Sequence, residues 1–124
     1  MDRTIELTDN WIYFDGEKRN GGTAGFFRKT AVFPVAGASS FTLRRKIICP
    51  KQVNDTVTVF FTGEYEGMRL YAKNVLLSPV KDGEGKTVYD ITPALKTGKT
   101  VLNAFFEKGR ADGFFLSVKR NFSE

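Results

Sequence analysis

Apolar and polar residues alternate with a period of two in the segments TIEL (4–7), WIYF (11–14), FFRKTAVF (26–33), SFTLRRKIIC (40–49) and TVTVFFTG (56–63). The same pattern continues in GMRLYAKNVLL (67–77), TVYDI (87–91), TVLNAFF (100–106) and GFFLSVKR (113–120). Successive side chains on a strand point to opposite faces, so each run predicts a half-buried strand. Clusters of Gly, Asn, Asp and Pro separate the runs, and helical spacing occurs only near TPALKTG (92–98). The pattern predicts an all-β chain: one domain over residues 1–124, built as an antiparallel β-sandwich of jelly-roll type with two sheets facing across one core.

The alternation also assigns faces. Val57, Val59 and Phe61 are expected inward, as are Phe114, Leu116 and Val118. In 68–72, Met68, Leu70 and Ala72 form the expected core face, which turns Arg69, Tyr71 and Lys73 outward as a row of cation, aromatic and cation. The strand 41–49 is less regular, because Arg45 shares a face with Phe41, Leu43, Ile47 and Cys49. An arginine there needs an acceptor, must extend its head to water, or must face a cleft. A structural ion pair is the expected outcome, with Asp90 as one candidate partner, and a ligand-contacting arginine is the alternative.

The stretch TVYDITPALKTGKTVLNAFF (87–106) interrupts the strands with polar residues and a proline. Asp90 is suited to accept a hydrogen bond from the backbone two residues on, and Thr92 to cap a helical turn. Pro93 suits the first helical position, and Gly98 stops the turn. A short helical turn is therefore expected near 93–97, with Leu95 pointing inward to close one end of the sandwich. This reading is structural and carries no chemistry.

Composition narrows the function. Twelve of the 124 residues are Phe, far more than a surface needs, so the core is expected to be rich in Phe, Val, Leu and Ile. A single cysteine, Cys49, excludes an internal disulfide, and the absence of histidine removes the commonest participant in zinc and triad chemistry. The net charge of +5 raises the question of acidic partners, yet basic residues are scattered among acids and gather only at RRK (44–46) and EKR (17–19). A solvated basic surface is the plainer reading. No apolar run of bilayer length occurs, so no membrane partner is expected. The opening MDRTIELTDNW has no leader-like apolar core, which leaves a cytoplasmic protein or an extracellular piece of a longer secreted enzyme.

The order FTLRRKIICP, then DTVTVFFTGEYEGMRLYAKNVLL, then VYDITPALKTGKTVLNAFF resembles the N-terminal sugar-binding-type jelly roll of family-two glycoside hydrolases, which has the galactose-binding-like fold. The matching residues are Arg44, Arg45 and Pro50; Val57, Val59, Phe61 and Gly63; and Asp90, Ile91, Thr92, Leu95, Lys96 and Gly98. DNWIYFDG (9–16) resembles that family's opening tryptophan segment, so the likeness covers most of residues 9–106 in order. Two positions depart from it. Lys73-Asn74 replaces an Asn-Gly hairpin, with Asn74 expected to take the left-handed conformation, and Thr100 stands where an asparagine is usual. The resemblance implies a module without catalytic residues, because the family's catalytic glutamates belong to a separate barrel.

Candidate chemistry fits that implication. Glu64 and Glu66 lie two residues apart on one strand face, roughly 6–7 Å between β-carbons from two strand rises, near the spacing of glycosidase acid pairs. Solvation or pairing with Arg and Lys is the expected fate of such neighbours. No cofactor is expected; a structural calcium would need further oxygens, for which Asp82 and Glu84 in KDGEGK are the densest source. The glycine-rich DGEKRNGGTAGFF (15–27) lacks phosphate-loop spacing, and Lys18, Arg19 and Arg28 make its surroundings electropositive. Sugars are held by aromatic faces and planar polar groups, which nominates Arg69, Tyr71, Lys73, Tyr65, Trp11 and Arg110 as carbohydrate-binding residues, with Tyr13, Tyr89 and Asp112 as further candidates. For Trp11, packing in the core is the competing reading. The expected partner is a polysaccharide or oligosaccharide, acidic if the charge is a guide, or else a neighbouring catalytic domain. Single-stranded nucleic acid is permitted by charge but disfavoured, since it needs aromatics and cations converging on one face.

Overall fold

A computed structural model describes residues 2–16, 28–37, 39–50, 54–81 and 87–120. The strands among them are β1 (Asp2–Glu6), β2 (Ile12–Asp15), β3 (Arg28–Thr30), β4 (Val35–Ala36), β5 (Phe41–Ile48) and β6 (Asp55–Glu66). They continue with β7 (Arg69–Ala72), β8 (Val75–Leu76), β9 (Pro79–Lys81), β10 (Thr87–Asp90), β11 (Lys99–Phe106) and β12 (Lys108–Arg120), and one 3₁₀ turn, η1, spans Thr92–Leu95. One sheet runs β1-β12-β6-β10-β9, with β4 also paired to β12, and the other runs β3-β2-β5-β11-β7-β8. All pairings are antiparallel, and the two sheets face each other as a sandwich. We refer to them as the first and second sheet. The loop 17–27, the Lys18 and Arg19 cations, and the Asp82 and Glu84 calcium candidates lie outside the described residues.

The core is set by the expected alternation. Val57, Val59 and Phe61 of β6 and Phe114, Leu116 and Val118 of β12 point inward, opposite Leu43 and Ile47 of β5, Leu70 and Ala72 of β7, and Leu102 and Ala104 of β11. Aromatic rings join the sheets across this interior. Phe106 of β11 meets Phe61 of β6 edge-on at 5.3 Å, and Trp11 packs against Phe61 and Phe114 at 5.6 and 4.9 Å. Phe41 lies stacked between Tyr13 and Phe106. Such contacts add to the burial of large apolar surfaces, which explains why a chain of this length carries so much Phe.

Arg45 resolves as the expected structural ion pair, but with Asp9 and not with Asp90. Its Nη2 lies 3.0 Å from Asp9 Oδ1, its Nε donates to the Asp9 carbonyl, and its Nη1 donates to the Lys46 carbonyl. The head thus reaches past the inward face to the β1–β2 connection. Asp90 instead accepts from Thr92 N at 2.9 Å, as its position before the turn predicts.

The turn forms with Leu95 buried and Gly98 at φ +82, donating from its N–H to the Leu95 carbonyl. Two details differ from expectation. Ile91, with no side-chain bond, holds the cap position, and Thr92 begins the turn. The Thr92 hydroxyl accepts from Val57 N at 2.8 Å and so ties η1 to β6, a task that removes it from capping. In the β7–β8 hairpin the left-handed residue is Lys73, at φ +58, and not Asn74. The Lys73 N–H donates to Val101 O and its carbonyl accepts from Asn103 Nδ2, so β11 fixes the first loop residue in place.

Candidate functional site

The six residues nominated for carbohydrate do not converge. Trp11 is fully buried, its indole N–H donating to the Leu7 carbonyl, so it belongs to the core. Tyr65 sits half-buried near the β6–β7 turn, edge-on to Phe106, with its hydroxyl donating to the Phe61 carbonyl. Arg110 faces solvent on β12, its guanidinium forked onto Asp112. That pairing holds the Asp112 carboxyl below its ordinary range and raises Arg110. Tyr13 and Tyr89 are also buried. Burial first, then the neighbouring Asp15 that accepts its hydroxyl, pushes Tyr13 up to about 12.

Arg69, Tyr71 and Lys73 do turn away from the core, as the alternation requires, but Tyr71 is only 4% exposed. The reason is that the outer face of the second sheet carries its own apolar layer. Register places Phe14, Thr42, Phe105 and Arg69 in one row and Ile12, Arg44, Asn103, Tyr71 and Leu76 in the next. The Arg44 guanidinium lies 4.8 Å from the Phe14 ring centre and donates from Nε to Asn103 Oδ1, and Arg69 lies 4.6 Å from the Phe105 ring centre. The guanidinium heads thereby lie over the rings, each cation against the electron-rich face of an aromatic. Tyr71 is enclosed in this layer between Asn103 and Leu76 and offers no open aromatic face.

Glu64 and Glu66 of β6 are solvated. Glu66 pairs with Lys108 at 3.0 Å with both side chains about 70% exposed, and Glu64 and Glu66 border a shallow depression with Tyr65, Lys108 and Gly109. Among the described residues no three Asp, Glu, Cys or His side chains gather to hold a metal.

Two further depressions lie around η1. A depression of about 360 Å³ opens between the β7–β8 hairpin and η1, lined by Ala72, Lys73, Asn74, Val75, Leu77, Pro93, Ala94, Lys96, Thr97 and Thr100. A second, of about 650 Å³, adjoins it across Lys96 and Thr97 and adds Lys46, Ile48, Pro50, Leu95, Gly98 and Lys99. Among the described residues neither is lined by a carboxylate. Of the cations here, the sequence nominates Lys73 for carbohydrate, includes Lys96 in the family-like turn and Lys46 in RRK, and gives Lys99 no role.

The fold and its surface define an antiparallel jelly-roll sandwich, closed at one end by a helical turn. Among solved structures it is similar to a β-glucuronidase from Bacteroides uniformis, with a TM-score of 0.74 and 12% identity over 98% of this chain and 18% of that one. It is also similar to a β-glycosidase from Bacteroides vulgatus, with a TM-score of 0.70 and 16% identity over 95% of this chain and 20% of that one. The chain thus spans about a fifth of the length of either enzyme, and the likeness is one of fold. No family model matches the sequence, and no curated protein matches it.

Proposed function

We propose that this chain is a non-catalytic accessory domain of a polysaccharide-degrading enzyme and that it holds carbohydrate. The observation supporting this reading is the extent of the fold likeness: nearly the whole chain corresponds to a sandwich that makes up about a fifth of two glycoside-cleaving enzymes. Fold alone is a weak guide to function, so the test must be direct. Affinity gels containing neutral or acidic polysaccharides are expected to retard the purified chain in at least one case, and chromogenic glycosides are expected to release no chromophore. Chromophore release would overturn the non-catalytic reading. Free migration through every gel would overturn the carbohydrate reading.

One feature favours a second role, packing against a neighbouring catalytic domain. On the outer face of the first sheet, Phe60 and Phe115 are paired across β6 and β12 and stack at 5.2 Å, both part-exposed. Val88 and Val80, paired across β10 and β9, continue the apolar surface, and Val80 is 55% exposed. An apolar patch of this kind is what a domain interface covers. A catalytic barrel encoded in the same reading frame, whose association weakens when Phe60 and Phe115 are changed to Ser, would support it; association indifferent to both changes would refute it.

A further inference from the structure

Many of the described basic residues have an evident partner. Arg45, Lys108 and Arg110 are each paired with a carboxylate, on Asp9, Glu66 and Asp112 respectively. Arg44 and Arg69 lie over aromatic rings. Lys46, Lys73, Lys96 and Lys99 differ: all four are exposed, all four border the two depressions at η1, and none has a carboxylate partner among the described residues. Scattered lysines on a chain of +5 charge need no ligand, but here four come from three separate stretches of sequence. The β5, β7–β8 and η1–β11 segments bring them to one end of the sandwich, around concave surface. Like charges placed together without counter-charges repel, so the arrangement favours an anion that bridges them.

We infer that the η1 end of the sandwich binds an acidic carbohydrate, with Lys46, Lys73, Lys96 and Lys99 holding its carboxylate or sulfate groups across the two adjoining depressions. This rests on the reading above that the domain holds carbohydrate. The surroundings suit such a ligand. Asn74 and Thr97 offer hydrogen-bonding groups for hydroxyls between the charges, and Pro93, Ala94 and Val75 supply apolar surface for C–H patches. Among the described residues no aromatic lines either depression, which disfavours single-stranded nucleic acid, whose bases need rings on which to stack. Two depressions joined at Lys96 and Thr97 also favour a chain of several residues over a single small anion.

The test uses affinity electrophoresis and calorimetry with polygalacturonate, a sulfated galactan, an uncharged galactan and single-stranded DNA. Retardation by polygalacturonate or by the sulfated galactan is expected, and which of them binds more tightly identifies carboxylate or sulfate as the group held. Exposed ion pairs each contribute about 1.5- to 5-fold in affinity, so Lys73→Gln, Lys96→Gln and Lys99→Gln combined should weaken binding by about 3- to 100-fold and flatten its salt dependence. Lys119→Gln, an exposed cation on β12, should leave it within about 1.5-fold. All four positions are exposed, so thermal midpoints should confirm that the variants fold. If only the uncharged galactan binds, the carbohydrate reading stands and this site is overturned. Equal losses from Lys119→Gln and from the η1 variants would also overturn it, by showing a diffuse effect of net charge, as would tighter binding of DNA than of either acidic glycan. Binding of no polysaccharide would overturn both readings together.

Discussion

Thr100 tests how the closed end of the sandwich is stabilised. It lies on β11 opposite Ile47 of β5 and on the inward side with Leu102 and Ala104, and it is 3% exposed. Its hydroxyl is sealed from solvent and has no hydrogen-bond partner among the described residues. A buried hydroxyl without a partner forgoes the hydrogen bonds it makes to water in the unfolded chain, a loss of about 1–3 kcal/mol. Valine has nearly the same shape, keeps the β-branching that strands favour, and carries no such group. Thr100→Val should therefore raise stability by about 1–2 kcal/mol. For a chain of this length, with an unfolding entropy of about 2.1 cal/mol/K per residue, each kcal/mol corresponds to roughly 4 °C in Tm. Urea unfolding should show a higher midpoint with an unchanged slope, which assigns the gain to stability and not to a changed unfolded state. Thr100→Ser, which keeps the hydroxyl and removes the buried methyl, should instead lose about 1 kcal/mol. A neutral or destabilising Thr100→Val would refute the reasoning, because it would show that the hydroxyl is satisfied in the folded protein.

Trp11→Ala should cost about 3–5 kcal/mol, since it removes the ring packed between Phe33, Phe61 and Phe114, and equilibrium unfolding measures it directly. Lys73→Gly should raise stability by about 0.5–1 kcal/mol, because glycine tolerates the positive φ that lysine adopts at some cost, less the extra freedom it gives the unfolded chain; an unchanged urea midpoint would count against that strain. The hydroxyls of Tyr13, Tyr65 and Tyr89 are all raised above their ordinary value, in each case mainly by burial. The folded state then holds protons that the unfolded state releases. Their contribution to stability is complete below pH 10 and is lost as pH rises through the folded values, about 12 for Tyr13, and Tyr13→Phe should make the decline above pH 10 shallower.

Fold and site differed in how far the sequence disclosed them, for one physical reason. Alternation reports which face a residue occupies, and it placed Val57, Phe61, Leu70, Phe114 and Leu116 in the core, as found. It does not report whether the opposite face is wet. Tyr71 has the facing expected of it and is buried all the same, within an outer layer whose register sets it between Asn103 and Leu76, with Arg44 and Ile12 further along the same row. Phe60 and Phe115 are the converse, outward by the same rule yet part-exposed and stacked on each other across two strands. The partner of Arg45 was equally hidden, since Asp9 reaches it from a connection far away in sequence. The lysines of the η1 end share this property. Each is ordinary in its own segment, and only the pairing of β5 with β11 and of β11 with β7 makes them neighbours.

These placements separate the two roles proposed for the domain. The outer face of the first sheet has apolar surface that a neighbouring domain would cover, while on that of the second sheet Arg44 and Arg69 lie over Phe14 and Phe105 and leave Ile48 and Leu76 exposed. The lysine-bordered depressions lie at η1, the end of the sandwich that the turn seals. An adjoining domain seated on Phe60 and Phe115 and a glycan held at Lys73 and Lys96 would therefore occupy different surfaces. Changing Phe60 and Phe115 to Ser should weaken the first association and leave the affinity for polygalacturonate within about 1.5-fold. Mutual loss would mean that one surface serves both, and the division of labour argued here would fail.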